Sequence, residues 1–278
     1  MIPPIASRFV AAEDVDGALA YARSKQRDDV GAIVNFLGEH HTDPSDAEAD
    51  TQVYLDVVDE LSGGDSRVCI SVKPSQVGLD VDEELFRDNV GRIVEAASAN
   101  DVFVWIDMED HTTTDATLDT YERLSREYGG GVGVCIQANL KRTREDLERM
   151  AELDGKVRLV KGAYDEPENV AYNRKETVNE MYREHLRYMF REFDDGIAVG
   201  SHDPEMIDLA RELHGEHGTR FEVQMLMGVR EAAQDELARD YDVWQYVPFG
   251  SRWMSYFYRR AMERKENAIF AIRAVLGV

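Results

Sequence analysis

Short apolar runs alternate along the chain with longer stretches in which apolar residues recur every three to four positions. The runs are 31–37 (GAIVNFL), 67–72 (RVCISV), 101–107 (DVFVWID), 131–138 (GVGVCIQA), 156–163 (KVRLVKGA), 195–202 (DGIAVGSH), 219–226 (TRFEVQML) and 242–247 (DVWQYV). Their near-continuous apolar character suits strands covered on both faces of a parallel sheet. Helical periodicity fills 46–61, 81–96, 113–128, 143–153, 170–190, 204–214 and 229–238, and a last stretch runs 253–276. Asp82 stands where a short carboxylate can accept the free N–H groups of a helix start. A further helix is predicted over 13–24, ahead of the first run.

Eight strands, each followed by a helix, is the arithmetic of an α/β fold of the (β/α)8 TIM-barrel type. The expectation is one domain over 1–278, with an extra N-terminal helix and a long C-terminal one. A doubly wound open sheet would need a glycine-rich phosphate loop after its first strand. Phe36-Leu37-Gly38-Glu39 stands there instead. The barrel is the better reading.

Charge narrows the function classes. The chain carries 55 acidic against 32 basic residues, a formal net of −23. Such a field repels phosphate backbones and anionic lipid, so no nucleic-acid partner is expected. The basic residues are 25 Arg and only 7 Lys. Dense carboxylates with scarce lysine suit a surface that stays hydrated in concentrated salt, so a salt-loving source is expected. No run of about eighteen apolar residues occurs, and Met1-Ile2-Pro3-Pro4 does not resemble a signal peptide. A cytoplasmic globule is expected, with loose membrane contact as the variant. Cys69 and Cys135 sit inside predicted strands and read as buried thiols, and no metal-ligand spacing is present.

Barrel enzymes carry their chemistry where strands exit at the C-terminal face. The strand ends and first loop positions here are Lys73, Asp107, Gln137, Lys161, Tyr164, His202, Gln224 and Tyr246. Any one of these has a structural explanation, because polar residues end strands where water begins. Together around one rim they describe a polar pocket on an apolar barrel. A second group is Arg259, Arg260 and Glu263 on the last helix, where the carboxylate lies one turn beyond the arginines. It reads either as a solvated ion pair or as a guanidinium pair ready to fork onto a substrate carboxylate.

The strings KPSQVGLD, WIDMED, CIQANLKRT, RLVKGAY, SHD, FEVQMLMG, YVPFG and YRRAMERKEN occur in this order at successive barrel positions. This series resembles that of the proline dehydrogenase family, specifically its short monofunctional members, from RFVAAEDVDGAL to the last helix. The resemblance implies a flavin, FAD rather than FMN, at the C-terminal mouth of a single flavin-binding barrel. It implies that Arg158 lies against the flavin ring, with Gln137, Val160, Lys161, Gly162, Ala163, Ser201, His202 and Gln224 completing the cofactor site. Lys73, Asp107, Tyr164, Leu226, Tyr246, Arg259, Arg260 and Glu263 would form the pocket for L-proline.

Those residue types suit the task. Arg259 and Arg260 can fork the proline carboxylate, Glu263 offsets the cationic ring nitrogen, and Leu226, Tyr164 and Tyr246 wall the methylenes. The implied reaction takes hydride from the carbon beside nitrogen to the flavin, giving pyrroline-5-carboxylate. A quinone or another acceptor then reoxidises the flavin. The chain departs from the family pattern at Asp165-Glu166, where many members have Trp, at Ser201-His202-Asp203 in place of T-H-N, and at Met227 in place of an aromatic. The alternatives are a Schiff-base aldolase barrel with Lys73 or Lys161 as nucleophile, and a flavin- or proline-binding sensor without turnover. A barrel of the methylenetetrahydrofolate reductase type shares the architecture without the Arg-Arg ending.

Overall fold

Among the residues described by the computed structural model (2–3, 6–63, 67–254 and 256–258), eight parallel strands close into a barrel in chain order. They are β1 (Val30–Phe36), β2 (Val68–Val72), β3 (Val104–Ile106), β4 (Val132–Gln137), β5 (Lys156–Val160), β6 (Ile197–Gly200), β7 (Phe221–Leu226) and β8 (Asp242–Phe249). Helix α1 (Val15–Lys25) precedes β1. After successive strands come α2 (Pro44–Glu60), α3 (Glu83–Ala99), α4 (Thr114–Tyr128), α5 (Thr143–Met150), α6 (Lys175–Glu192), α7 (Pro204–His217) and α8 (Glu231–Leu237). Trp253 begins a helical turn after β8, and most of the helix expected over 253–276 lies outside the described residues.

Short carboxylates start several of these helices. Asp14 caps α1 by accepting from the Gly17 N–H, and Asp82 caps α3 by accepting from the N–H groups of Glu84 and Leu85. Asp43 and Asp203 do the same for α2 and α7, each followed by a proline whose missing N–H costs the first turn nothing. Asp203 thereby fixes the loop after β6, at the C-terminal end of the barrel.

The main core lies between the strands and the helices: Val34, Ile70, Ile106, Val134, Leu159, Val199 and Val223 on the strands pack with Tyr54, Phe86, Ile93, Leu124 and Tyr182 on the helices. Complete burial of each aliphatic side chain contributes about 1.5–3 kcal/mol. A separate cluster of Ile33, Cys69, Trp105 and Ala198 fills the barrel, with Phe103, Trp244 and Tyr246 against it. Glycines on neighbouring strands make room for the two indoles. A Cβ at Gly31 would sit 2.5 Å from the Trp244 ring, and one at Gly133 would sit 2.6 Å from the Trp105 ring. Cys69 and Cys135 are buried and free, as expected. No described helix is long and apolar enough to cross a membrane.

The helix expected over 170–190 begins later, at Lys175. Ala171 forms a bridge with Leu140, and the Tyr172 N–H donates to the Asn139 carbonyl, so this stretch is tied to the loop after β4 instead.

Candidate active site

Asp107, the first residue after β3, gathers the groups at the C-terminal mouth. Its Oδ1 accepts from the Ser71 hydroxyl at 2.6 Å and from the Arg158 guanidinium. Its Oδ2 accepts from the Tyr246 hydroxyl at 2.7 Å and from the Lys73 ammonium at 3.4 Å. These donors come from β2, β5, β8 and the residue after β2, so one carboxylate ties four positions of the rim together. A carboxylate offers about four lone-pair sites, and here all are engaged. Burial alone would raise the Asp107 pKa, but Arg158 and Lys73 outweigh it and hold the carboxyl below its ordinary value.

Arg158 sits in the middle of β5 with only 5% of its surface exposed. Its guanidinium lies 4.9 Å from the Trp105 ring centroid, a cation–π contact, and donates through Nη1 to Gln224 Oε1 at 3.0 Å. Burial opposes its charge, but Asp107 more than compensates, so it stays protonated. The same contest is played out at Lys73: burial pushes the ammonium pKa down, Asp107 and Glu109 push it up, and the net is upward.

Hydrogen bonds continue down the barrel. Gln224 Nε2 donates to Glu222 Oε1 at 2.6 Å, and the Lys156 ammonium donates to Glu222 Oε2 at 2.5 Å. Lys156 and Glu222 line an open cavity of about 650 Å³ at the N-terminal end, with His214, Arg220 and Tyr241. This hollow lies at the end of the barrel opposite the mouth.

The other expected positions surround the mouth with varying engagement. Gln137 ends β4 and donates to the Glu109 carbonyl at 2.8 Å. Lys161 follows β5, but its ammonium is taken by Asn179 of α6 and Asp203, each at 2.6 Å. It braces the loops and does not join the Asp107 cluster. Gly162 has φ +106, and a Cβ there would lie 2.1 Å from Asn139 Oδ1. Val160, Tyr164, Leu226 and His202 are half-buried, Ala163 is exposed and Ser201 is buried, its hydroxyl accepting from the Asp203 N–H at 3.1 Å. Gln224 and Tyr246, expected at strand ends, precede the last residues of β7 and β8 and so lie within the barrel. Arg259, Arg260 and Glu263 lie outside the described residues.

Four residues of this network are absent from the sequence expectation: Ser71, Glu109, Lys156 and Glu222. Glu109 is buried and accepts from the Ser75 N–H at 2.6 Å and hydroxyl at 2.7 Å. Burial raises its pKa. Polar residues two apart in an apolar strand share a face, so Lys156 with Arg158, and Glu222 with Gln224, carry a signal that they line the barrel interior.

A family model described as Proline dehydrogenase matches residues 18–273. The chain belongs to the proline dehydrogenase family. It is 33% identical over 275 residues to Proline dehydrogenase 1 of Bacillus subtilis, covering 98% of this chain and 90% of that protein. It is 34% identical over 282 residues to the Proline dehydrogenase of Deinococcus radiodurans, with the same coverages of 98% and 90%. Among solved structures, it resembles the proline utilization A protein of Bdellovibrio bacteriovorus inactivated by N-propargylglycine, with a TM-score of 0.84 and 21% identity. That match covers 95% of this chain but spans only 33% of the other, and it shows a common fold.

Membership implies a flavin, proline as substrate and an electron acceptor. The mouth fits a flavin. Arg158 supplies a fixed buried cation, Val160, Leu226 and Ala163 supply apolar surface reachable from outside, and Asn139 Oδ1 beneath Gly162 is a buried acceptor without a protein partner. The aldolase alternative fits poorly. A Schiff-base lysine needs a lowered pKa, whereas Lys73 is raised and Lys161 is held by a carboxylate.

Proposed function

We propose that this chain oxidises L-proline to pyrroline-5-carboxylate as a single flavin-binding barrel over 1–278, with FAD as its flavin and a quinone or another acceptor taking the electrons. The observation that carries the reading is the Asp107 hub, which assembles Lys73, Arg158 and Tyr246 at the mouth of a proline dehydrogenase-family barrel. When bound, the flavin supplies the two-electron acceptor for the hydride that leaves the carbon beside the proline nitrogen.

The chain's own residues do the rest. Arg158 places a positive charge where negative charge develops on reduction, in a site where water cannot screen it. Asp107 fixes the direction of that guanidinium and holds Lys73 and Tyr246 beside it. Tyr164, Tyr246 and Leu226 wall the apolar methylenes and exclude water. Arg259 and Arg260 bind the carboxylate and Glu263 balances the ring nitrogen. Gln137, Val160, Lys161, Gly162, Ala163, Ser201, His202 and Gln224 hold or brace the cofactor. With no described helix able to cross a membrane, a cytoplasmic location with loose membrane contact for quinone reduction fits.

The test is an absorbance spectrum of the purified protein in concentrated salt, followed by anaerobic addition of proline. Bleaching of a flavin band by proline and not by glutamate is the expected result. A flavin band indifferent to proline, or no flavin after reconstitution with FAD, defeats the reading. Chromatography of the acid-released flavin distinguishes FAD from FMN.

A further inference from the structure

An arginine has only hydrogen-bond donors and a carboxylate only acceptors, whereas a side-chain amide has one end of each kind. Gln224 stands between Arg158 and Glu222, accepting from the first at 3.0 Å and donating to the second at 2.6 Å. Only one of its two orientations satisfies both neighbours. Turned over, it would aim its N–H groups at the guanidinium and its oxygen at the carboxylate. Arg158 and Glu222 therefore fix together which way Gln224 points, and without Glu222 only the guanidinium holds the amide.

Glu222 is itself held. It is 4% exposed and accepts from Lys156 at 2.5 Å. Burial pulls the Lys156 ammonium pKa down, but Glu222 outweighs it and keeps the amine charged. The Lys156 head lies 5.1 Å from the Phe103 ring centroid, which confines it further. The pair stands at the end of the barrel away from the mouth and lines the cavity there.

We infer that Glu222 is a positioning residue for the reaction, orienting Arg158 through Gln224 from the opposite end of the barrel. The inference rests on the reading that Arg158 faces the flavin. Loss of the carboxylate removes one of the two groups that orient the amide, so the second anchor of Arg158 is held less firmly and its charge is less well directed at the reduced flavin. The flavin should then be harder to reduce. Direct removal of a negative charge would act in the opposite sense and make it easier to reduce, so the sign of the change separates the two causes.

The test uses the flavin-loaded protein and four variants: Glu222→Gln, Lys156→Met with Glu222→Gln, Arg158→Met, and Arg158→Met with Lys156→Met and Glu222→Gln. The flavin midpoint potential is measured by dye equilibration, and reduction by saturating proline is followed by anaerobic stopped flow. The first two variants should show a more negative potential and reduction slowed about tenfold, a change of about 1.4 kcal/mol in the barrier. In the Arg158→Met background the charge-neutral pair should change neither quantity, because the group it acts through is gone and no net charge is removed. The charge-neutral pair leaves no unpaired ion in the barrel and carries the test if Glu222→Gln alone does not fold. Parental values in both, a more positive potential in the charge-neutral pair, or an effect that persists with Arg158 absent overturns the inference. Parental values in Arg158→Met overturn the placement of Arg158 at the flavin, and the inference with it.

Discussion

Asp107 and Arg158 form an ion pair across the interior of the barrel, from the residue after β3 to the middle of β5, with β4 between them. Their side chains are only 14% and 6% exposed. A pair so placed is not a strong source of stability in itself, because both ions lose water. Breaking it is another matter, because the remaining ion stays buried without its partner. The pair also fixes direction: Asp107 and Gln224 hold different arms of one planar guanidinium, so its plane is set before any ligand arrives.

Asp107→Asn should therefore destabilise the protein by roughly 3 kcal/mol, near the lower end for a broken buried pair. The folded-state pKa of Asp107 is depressed, so its stabilisation is present above the unfolded carboxylate value near pH 4 and is lost as pH falls through the folded one. Denaturant melts should show the gap between parent and variant closing below about pH 4. Without Asp107, Lys73 loses the largest of the charges that offset its burial, so its ammonium should also lose its proton at lower pH than in the parent. A gap that stays constant down to about pH 3 would mean that Asp107 is not held by charge.

Arg158→Met should retain flavin and fold while slowing reduction by proline about a hundredfold, the scale of losing one aligned charged donor in a water-poor site. Trp105 packs against the guanidinium at 4.9 Å, and a methionine of similar length keeps part of that packing. Single-turnover reduction at saturating proline reads the effect, and reduction at the parental rate would remove Arg158 from the reacting edge.

How far the sequence revealed all this depended on the kind of signal. All eight strands were legible because each is an apolar run covered on both faces. The third run is longer than its strand: Asp101 adopts a left-handed backbone at φ 56, and the ladder of β3 begins only at Val104. The eighth apolar run ends at Val247, whereas β8 continues through Pro248 to Phe249 beside β1. Lys73, Asp107, Arg158 and Tyr246 were legible as motif residues, and the structure brings them together. Lys161 was not readable in its bracing role, because its partners Asn179 and Asp203 lie on later elements. Ser71 and Glu222 were missed because neither ends a strand, although Glu222 and Gln224 share a face by strand periodicity alone.

Gly162→Ala tests the tight turn after β5. Its φ of +106 is one that only glycine adopts readily, and the added methyl would meet Asn139 Oδ1 at 2.1 Å. The combined cost should be about 1–3 kcal/mol, with displacement of the neighbouring Lys161 and Ala163. A lower melting temperature and a reduced flavin-to-protein ratio are expected. Parental values of both would show that the loop adjusts freely.

Salt should stabilise this protein. Screening weakens surface pairs such as Arg92–Glu48 and Arg142–Asp115, but exposed pairs are worth only about 0–1 kcal/mol each. Screening also relieves the mutual repulsion of a surface with net charge −23, as the Debye length falls to about 3 Å at 1 M. The second effect should win, raising the melting temperature steeply between dilute buffer and molar KCl. An unchanged melting temperature would show that repulsion does not govern stability here.

The final expectation concerns proline recognition by Arg259 and Arg260. The segment leading to them is anchored to the barrel mouth: Arg252 Nη1 donates to Asp50 Oδ2 at 2.8 Å, and that oxygen also bonds His41 at 2.7 Å and Gln76 at 2.9 Å. Asp50 is 4% exposed while the Arg252 side chain is 46% exposed, so the anchor is set into the protein at its carboxylate end. On the helix expected from the sequence over 253–276, adjacent residues would point about 100° apart, so the two arginines would not share one face but could approach a small carboxylate from two sides. A charged hydrogen bond of this kind is worth roughly 1.5–3 kcal/mol. Methionine at either position should therefore weaken proline binding by about one to two orders of magnitude while flavin content is retained. Lysine should rescue little, because a point charge does not reproduce the planar fork. Titration of flavin bleaching against proline reads the affinity directly, and parental affinity in both methionine variants would remove the arginines from the substrate site.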